Sequence, residues 1–381
     1  MPNEFQALTN KVIELQKEIA ALAAAQGKRV RLPDWGNGQL TVGVATLPLA
    51  ATPIQPISPG QPLQTNRIAE VETRTKLVLK NWRSPGDVLV MTAAIAALHE
   101  QHPGKYLTAV DTSCNAIFEN NPNVSQFLPG EGKVIDMHYP LINEWQKRPS
   151  HFLEGYVEYL GQQLNVKLTL TSQKPFLYLS DDEKKWISQV EEITKKKTKF
   201  WLLNAGYKAC FTTKNWGRQN YQEVVDRLRG KVLFVQVGKA EQTHTHPILD
   251  GTINLLGKTD DRQLIRLAYH AEGGIGPVTL LGHLCAAWEK PYINLVGGRE
   301  PVAWVQYPKQ QTMHTIGMLS CCRSGACDKT RTVPLGDKDD SQKTFCEQPL
   351  VLAGNDAVPR CMAMISPRRV AEIIEGTLYD A

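Results

Sequence analysis

Hydrophobic and polar positions change period along the chain, and those changes divide it. Over residues 5–26, Leu8, Val12, Leu15, Ile19 and Leu22 recur in alternating steps of four and three, the stripe of an amphipathic helix. Gly27 ends it. The stripe could pack on its own chain, or on the same helix of another subunit as a short coiled-coil-like seam. Residues 33–66 lose this period. A turn-rich Asp34-Trp35-Gly36-Asn37-Gly38 precedes LTVGVATLPL, one or two short strands, and then come Pro48, Pro53, Pro56, Pro59 and Pro62. Prolines so spaced exclude a helix and predict an extended segment laid over a surface. Residues 1–70 are read as an N-terminal extension.

From residue 74 strands and helices alternate. RTKLVLKNWRSPGDVLVMTAAIAAL gives a strand over 76–80, a turn at Ser84-Pro85-Gly86-Asp87, and a helix carrying Val88, Met91, Ile95 and Leu98. This is the opening βα unit of an open α/β sheet, whose first loop lies at the ligand crevice. Gly86 lets backbone approach a ligand. Asp87 turns its carboxylate to the crevice from a helix N-terminus, although Asp there is also a common cap. A strand at 106–111, a helix around Ala116, short strands at 124–128 and 134–137, a helical stretch at 151–164 and a segment at 167–170 complete the first half. A charged helix over 181–198 leads into the second.

Residues 200–206, FWLLNAG, open that half as a buried strand running into a glycine loop. A helix over 219–229, strands at 232–237 and 251–256, and a helix over 261–271 follow. EGGIGPVTLLG, residues 272–282, reads as a glycine-rich turn before a helix, and 291–296 as a strand ending in Gly297-Gly298. Two α/β domains with glycines at the carboxyl ends of their strands place a ligand cleft between them. The predicted organisation is an N-terminal domain over 71–180, a C-terminal domain over 181–365 and a final helix in 366–381 that returns to the first domain.

Composition narrows the function classes. The chain has 381 residues, enough for two cores, and its 43 Lys and Arg against 38 Asp and Glu leave a net charge of +5. That mild excess tolerates an anionic substrate, and without a basic block interleaved with aromatics it does not point to nucleic acid. No apolar run is long enough to span a membrane and no signal-peptide order opens the chain, so a cytoplasmic protein is expected. A Rossmann dinucleotide site would need Gly-x-Gly-x-x-Gly after the first strand, which Ser84-Pro85-Gly86-Asp87 lacks.

Three places in order carry a resemblance. They are Gly86-Asp87 with Asn121-Pro122-Asn123-Val124 downstream; Asn204-Ala205-Gly206 followed by Lys214-Asn215-Trp216; and Gly276-Pro277-Val278-Thr279 with His283-Leu284-Cys285-Ala286-Ala287, then Pro291 and Gly297-Gly298. From about residue 74 onward the chain resembles the bacterial ADP-heptose:lipopolysaccharide heptosyltransferases of glycosyltransferase family 9 and their relatives that transfer heptose to proteins. The resemblance implies the GT-B fold, two facing Rossmann-like domains, and inverting transfer of a heptose from ADP-heptose or a related nucleotide sugar to a protein or saccharide acceptor. Asp87 would then be the base and Lys214 the partner of the leaving diphosphate. Gly86, Gly274, Gly276, Pro277, Val278 and Thr279 would form a phosphate cradle at a helix N-terminus. Many members carry an acidic residue shortly before the histidine, where this chain has Thr279-Leu280-Leu281-Gly282. Other nucleotide sugars, or a non-catalytic subunit, are the alternatives. Asn204, Glu300 and Trp304 are further cleft candidates. No catalytic divalent cation is expected, and a homo-oligomer is compatible with the N-terminal stripe.

Of the eight cysteines, Cys114, Cys210 and Cys285 fall among predicted core elements as buried thiols. Cys321, Cys322, Cys327, Cys346 and Cys361 cluster near the end of the chain. Four thiolates make a closed site for zinc or iron. Adjacent Cys321 and Cys322 cannot easily share one ion, so Cys322, with Cys321 as its alternative, is grouped with Cys327, Cys346 and Cys361. Iron held through cysteines in some protein heptosyltransferases supports a structural metal, and free thiols or disulfides are the other readings.

Overall fold

The computed structural model describes residues 74–127, 130–137, 148–338, 340 and 344–379, with the backbone of 33–34 and 41–42. The amphipathic stripe at 5–26 and the proline segment lie outside the described residues. Two short strands in the first 70 residues, β1 (Pro33–Asp34) and β2 (Thr41–Val42), pair antiparallel. Residues Val71–Ala381 form a separate compact unit.

That unit opens with β3 (Thr75–Asn81), in which Leu77, Leu79 and Asn81 point inward at the two-residue period of a strand. Helix α1 (Pro85–Gln101) follows, starting on a proline at its first turn, where the missing N–H costs nothing. Residues Val88 to Leu98 are all buried, so this helix has no solvent stripe. Its alanines at 93, 94, 96 and 97 let neighbours close in on several faces. Strands β4 (Tyr106–Thr112) and β5 (Lys133–Asp136) flank β3 in a parallel sheet of order β4-β3-β5. Helix α2 (Phe152–Leu164) packs along α1.

Helices α3 (Asp181–Lys184) and α4 (Gln189–Thr194) stand where one charged helix over 181–198 is predicted. Ser180 with Glu183, and Ser188 with Glu191, form two capping boxes. Each serine hydroxyl accepts the N–H of the glutamate three residues on, so the segment starts twice. The element expected around Ala116 is a short 3-10 turn, Asn115–Phe118. Of the strand expected at 124–128, only a bridge from Thr108 to Val124 is present among the described residues.

The second half holds β6 (Trp201–Leu203), β7 (Tyr207–Lys208), α5 (Arg218–Arg227), β8 (Phe234–Gln236), β9 (His244–Thr245), β10 (Ile253–Asn254), α6 (Asp261–His270), β11 (Gly273–Pro277), α7 (Leu280–Ala287), β12 (Tyr292–Gly297), α8 (Val302–Val305) and β13 (Gln310–His314). Six strands make one parallel sheet of order β10-β8-β6-β11-β12-β13. In chain order that is 3-2-1-4-5-6, the doubly wound arrangement, and the order reverses between β6 and β11. Strands β7 and β9 form a small antiparallel ribbon beyond the sheet's carboxyl edge. A hairpin of β14 (Pro349–Leu352) and β15 (Asp356–Pro359), then α9 (Arg360–Ala363) and α10 (Pro367–Tyr379), end the chain.

Two expectations are corrected here. Residues 272–282 are not one glycine-rich turn, because 273–277 form the buried central strand β11. A side chain at Gly274 would meet Cys285 Sγ at 3.1 Å, and one at Gly276 would meet the Asn204 carbonyl oxygen at 2.7 Å and Tyr292 Oη at 2.8 Å. These glycines serve close packing inside the sheet. The final helix does not return to the first domain. Its Val370, Ala371 and Ile374 join Trp216, Tyr221 and Val224 in one apolar cluster, because its apolar stripe matches α5 of its own half. Gly276→Ala should cost about 1–3 kcal/mol of stability through overpacking, read as a lower denaturation midpoint. An unchanged midpoint would mean that the strand has room to spare.

Candidate functional site

Helices α1 and α7, one from each half, pack against each other, and their N-termini converge. A Cβ on Gly86 would lie 3.1 Å from His283 Cδ2 and 3.6 Å from the Leu280 Cα, so only glycine fits without displacing the imidazole. The loop before α1 is set by Asn81, whose Oδ1 accepts the Arg83 N–H at 3.2 Å and whose amide reaches Tyr156 Oη at 3.3 Å. Asp87 then falls in the first turn of α1, half-buried at the junction. Burial raises its pKa to about 6, against the opposing charge of Lys214 across the junction and a backbone hydrogen bond from Ser84.

Lys214 ends the 3-10 segment Ala209–Lys214 and lies at the switch point between β6 and β11. Its Nζ donates to the Val278 carbonyl at 2.8 Å and pairs with Glu300 Oε1 at 2.9 Å. Arg299, which the sequence places just after the carboxyl end of β12, bonds the same Glu300 oxygen and donates from Nε to the Lys329 carbonyl at 2.9 Å. Both cations lie over the Phe211 ring, at 5.7 and 4.9 Å. Burial lowers the Lys214 pKa. Burial alone would raise that of Glu300, but Lys214 and Arg299 outweigh it and the carboxylate is held below its usual range.

Thr279 is the N-cap of α7, and its hydroxyl caps no backbone N–H. The Gly282 N–H bonds the Thr279 carbonyl at 3.2 Å, which leaves the N–H groups of Leu280 and Leu281 at the start of α7 for another acceptor. Val278 and Thr279 thus sit at a helix N-terminus as expected, while Gly274, Gly276 and Pro277 lie in the strand behind them. Asn204 Oδ1 accepts the Gly206 N–H at 2.8 Å, which commits that side chain to shaping its own loop. Trp304 is not a cleft residue. It is buried against Phe152 with ring centroids 4.8 Å apart, because the halves meet there through apolar side chains.

Two histidines at the junction are neutral. His283 Nδ1 shares a hydrogen bond of 2.8 Å with Tyr307 Oη, and its pKa falls to about 4 through burial and the Lys214 charge. His151 packs edge-on against Tyr307 at 4.6 Å, and burial takes its pKa to about 3. A third histidine was invisible in the sequence. The His246 ring lies over the glycines that end β6 and β8, 2.0 Å from where a Cβ on Gly206 or Gly238 would stand. On the first half, a groove at the carboxyl ends of β3 and β5 is lined by Lys80, Trp82, Arg83, Asp136 and Met137. The Trp82 indole is held by Asp111 Oδ1 at 2.9 Å and is largely exposed.

The cysteine-rich segment corrects the grouping of thiols. Cys321, Cys327, Cys346 and Cys361 line one small enclosed cavity with Arg299 and Lys329. Cys322 turns away and donates to the Leu319 and Thr315 carbonyls at 3.5 and 3.6 Å. Burial and neighbouring thiols push Cys361 up to about 12, and burial above all pushes Cys327 to about 11. A cation would reverse this preference for the protonated form. Among the described residues no group of three or more His, Cys, Asp or Glu is arranged to hold an ion as it stands. Cys210, expected to be buried, is exposed.

Among solved structures, the chain is similar to a glycosyltransferase family 9 protein from Veillonella parvula, at 15% identity over 82% of this chain and 99% of that one, with a TM-score of 0.57. It is similar also to ADP-heptose lipopolysaccharide heptosyltransferase II of E. coli, at 14% identity over 80% and 99%, TM-score 0.50. A third is the dodecameric iron-containing heptosyltransferase TibC in complex with ADP-D-β-D-heptose, at 15% identity over 81% and 77%, TM-score 0.56; TibC comes from enterotoxigenic E. coli. At these identities the likeness carries the fold, which is that of GT-B glycosyltransferases. Residues 143–328 match the profile of glycosyltransferase family 9 (heptosyltransferase). The matched segment, just under half of the chain, is similar to the glycosyltransferases of that family. No protein of curated function matches it in sequence. Among the described residues no helix is long and apolar enough to cross a membrane.

Proposed function

We propose that the protein transfers a heptose from ADP-heptose, with inversion at the anomeric carbon, to a hydroxyl of a protein or saccharide. The observation that carries this reading is Asp87, a carboxylate with a pKa of about 6 facing Lys214 across the junction of the two halves. A base works best when its pKa lies near the working pH, and the two histidines beside it titrate well below that. As the acceptor oxygen attacks, Asp87 takes its proton. The departing diphosphate gathers charge beside Lys214 and the N-terminus of α7, both fixed in advance. The groove beside Trp82 gives the acceptor a place on the Asp87 side. Support for ADP-heptose as donor comes from the substrates named for heptosyltransferase II and TibC.

Calorimetry with ADP-heptose, UDP-glucose, GDP-mannose and free ADP tests the donor. Selective binding of ADP-heptose, weakened at least tenfold in Lys214→Ala, is expected. Preference for another nucleotide sugar would keep the transferase and end the heptose assignment. Asp87→Asn should lower kcat by about 10²–10⁴ with donor binding largely kept. The wild-type rate should fall as pH drops through about 6, where the carboxylate protonates. A flat profile, or an active Asn variant, would remove Asp87 as base.

We also propose that Cys321, Cys327, Cys346 and Cys361 close on a structural iron or zinc ion. All four ligand positions would be filled by the protein, so the ion would fix the segment and take no part in transfer. Metal content by mass spectrometry and the denaturation midpoint should both fall in Cys321→Ser, while Cys322→Ser keeps its metal. Equal metal content in all five single Cys→Ser variants would sink the site.

A further inference from the structure

Lys214 and Arg299 hold one carboxylate between them. Glu300 Oε1 is bonded to both cations, both stand over the same Phe211 ring, and the Lys214 and Glu300 side chains are only 18% and 11% exposed. Glu300 is the carboxylate bonded to both cations, whereas Asp87 acts on Lys214 through its charge across the junction, so the hold on both cations at one point rests on Glu300. Glu300 arrives on the loop after β12, where Gly297 at φ 62° turns the chain. That strand neighbours β11, so the loop overhangs the crevice in which Lys214 contacts Val278.

We propose that Glu300 is an internal stand-in for the donor's phosphates, and that Arg299 is a second phosphate-binding residue beside Lys214. In the empty site the carboxylate holds both cations in place and limits the repulsion between them. A diphosphate, with more charge and more acceptor oxygens, displaces it and receives the pair already aimed at one point. Affinity for the diphosphate is thereby lowered by the competition with Glu300, as for any site whose competent state must first be freed. This deepens the reading of Lys214 as the diphosphate contact.

Titration calorimetry of the full chain with inorganic pyrophosphate tests it, because the probe carries neither base nor sugar. A wrong donor assignment would then leave the result untouched. Glu300→Gln keeps the side chain's shape and does not touch the Arg299 bond to Lys329. It should bind pyrophosphate about tenfold more tightly than wild type, the effect of removing about 1.4 kcal/mol of competition. Its denaturation midpoint should be lower without ligand and rise further on adding pyrophosphate. Arg299→Ala should bind at least tenfold more weakly. Unchanged or weaker binding by Glu300→Gln would overturn the stand-in, and wild-type affinity in Arg299→Ala would overturn the second cation. Absence of pyrophosphate binding in all of these proteins would overturn both.

Discussion

The site depends on how closely two helices can approach at their N-termini. Helix α1 comes from the first half and α7 from the second, and at Gly86 the backbone of one lies against the His283 ring of the other. Each N-terminus carries the equivalent of about half a positive charge, although at α1 the Asp87 and Val88 N–H groups are already bonded to the Ser84 carbonyl. Two such ends, with Lys214 beside them, make a small region that favours anions. The alanines of α1 are part of the same constraint, since larger side chains at 93, 94, 96 and 97 would hold the helices apart. Asp87 is the carboxylate placed in this field. Its raised pKa means that burial outweighs the positive surroundings.

The cysteine-rich segment matters because it props the residues on the donor side. Thr213 N donates to the Thr330 carbonyl at 3.1 Å, Thr213 Oγ1 donates to the Lys329 carbonyl at 2.8 Å, and Thr212 Oγ1 accepts the Thr332 N–H at 2.7 Å. Arg299 binds the same Lys329 carbonyl. The turn that aims Lys214 and the cation next to it are thus tied to one short run of chain. That run has little regular secondary structure of its own, and its four cavity-lining thiols sit directly behind it. The segment's link to Lys214 and Arg299 is positional.

Alternation made the two α/β halves legible: strands at two-residue period, helices at longer spacing and glycines after strands. The turn at Gly86-Asp87 and the Lys-Asn-Trp at 214–216 were visible as motifs; the first and Lys214 lie at the junction, while Trp216 is buried in the core of the second half. What the sequence hid has identifiable causes. The break between α3 and α4 was written in Ser180-x-x-Glu183 and Ser188-x-x-Glu191, but a continuous run of charges masked those boxes. The strand at 273–277 was read as a turn because glycines usually end strands, whereas here they let Asn204, Cys285 and Tyr292 pack close. His246 carried no local signal, since its significance lies in contacts distant along the chain. The roles of Cys321 and Cys322 differ by one residue in a 3-10 turn, a distinction that spacing could not make.

Burial sorts the ionisable groups at the junction into distinct tasks. His283 and His151 are so enclosed that both stay neutral at physiological pH, so they add shape and hydrogen bonds without adding charge. Neutrality at His283 matters because its ring touches Gly86, where a further cation would pull Asp87 back toward an ordinary, weakly basic carboxylate. Lys214 and Glu300 are buried together and hold their charges through each other. Among these groups, Asp87 is the one whose charge changes near neutral pH. On the proposed mechanism this separation divides the work: Asp87 would take the arriving hydroxyl's proton, while Lys214, already charged and fixed, would meet the leaving phosphates. Here the enclosed histidines keep the first task from being lost to the second.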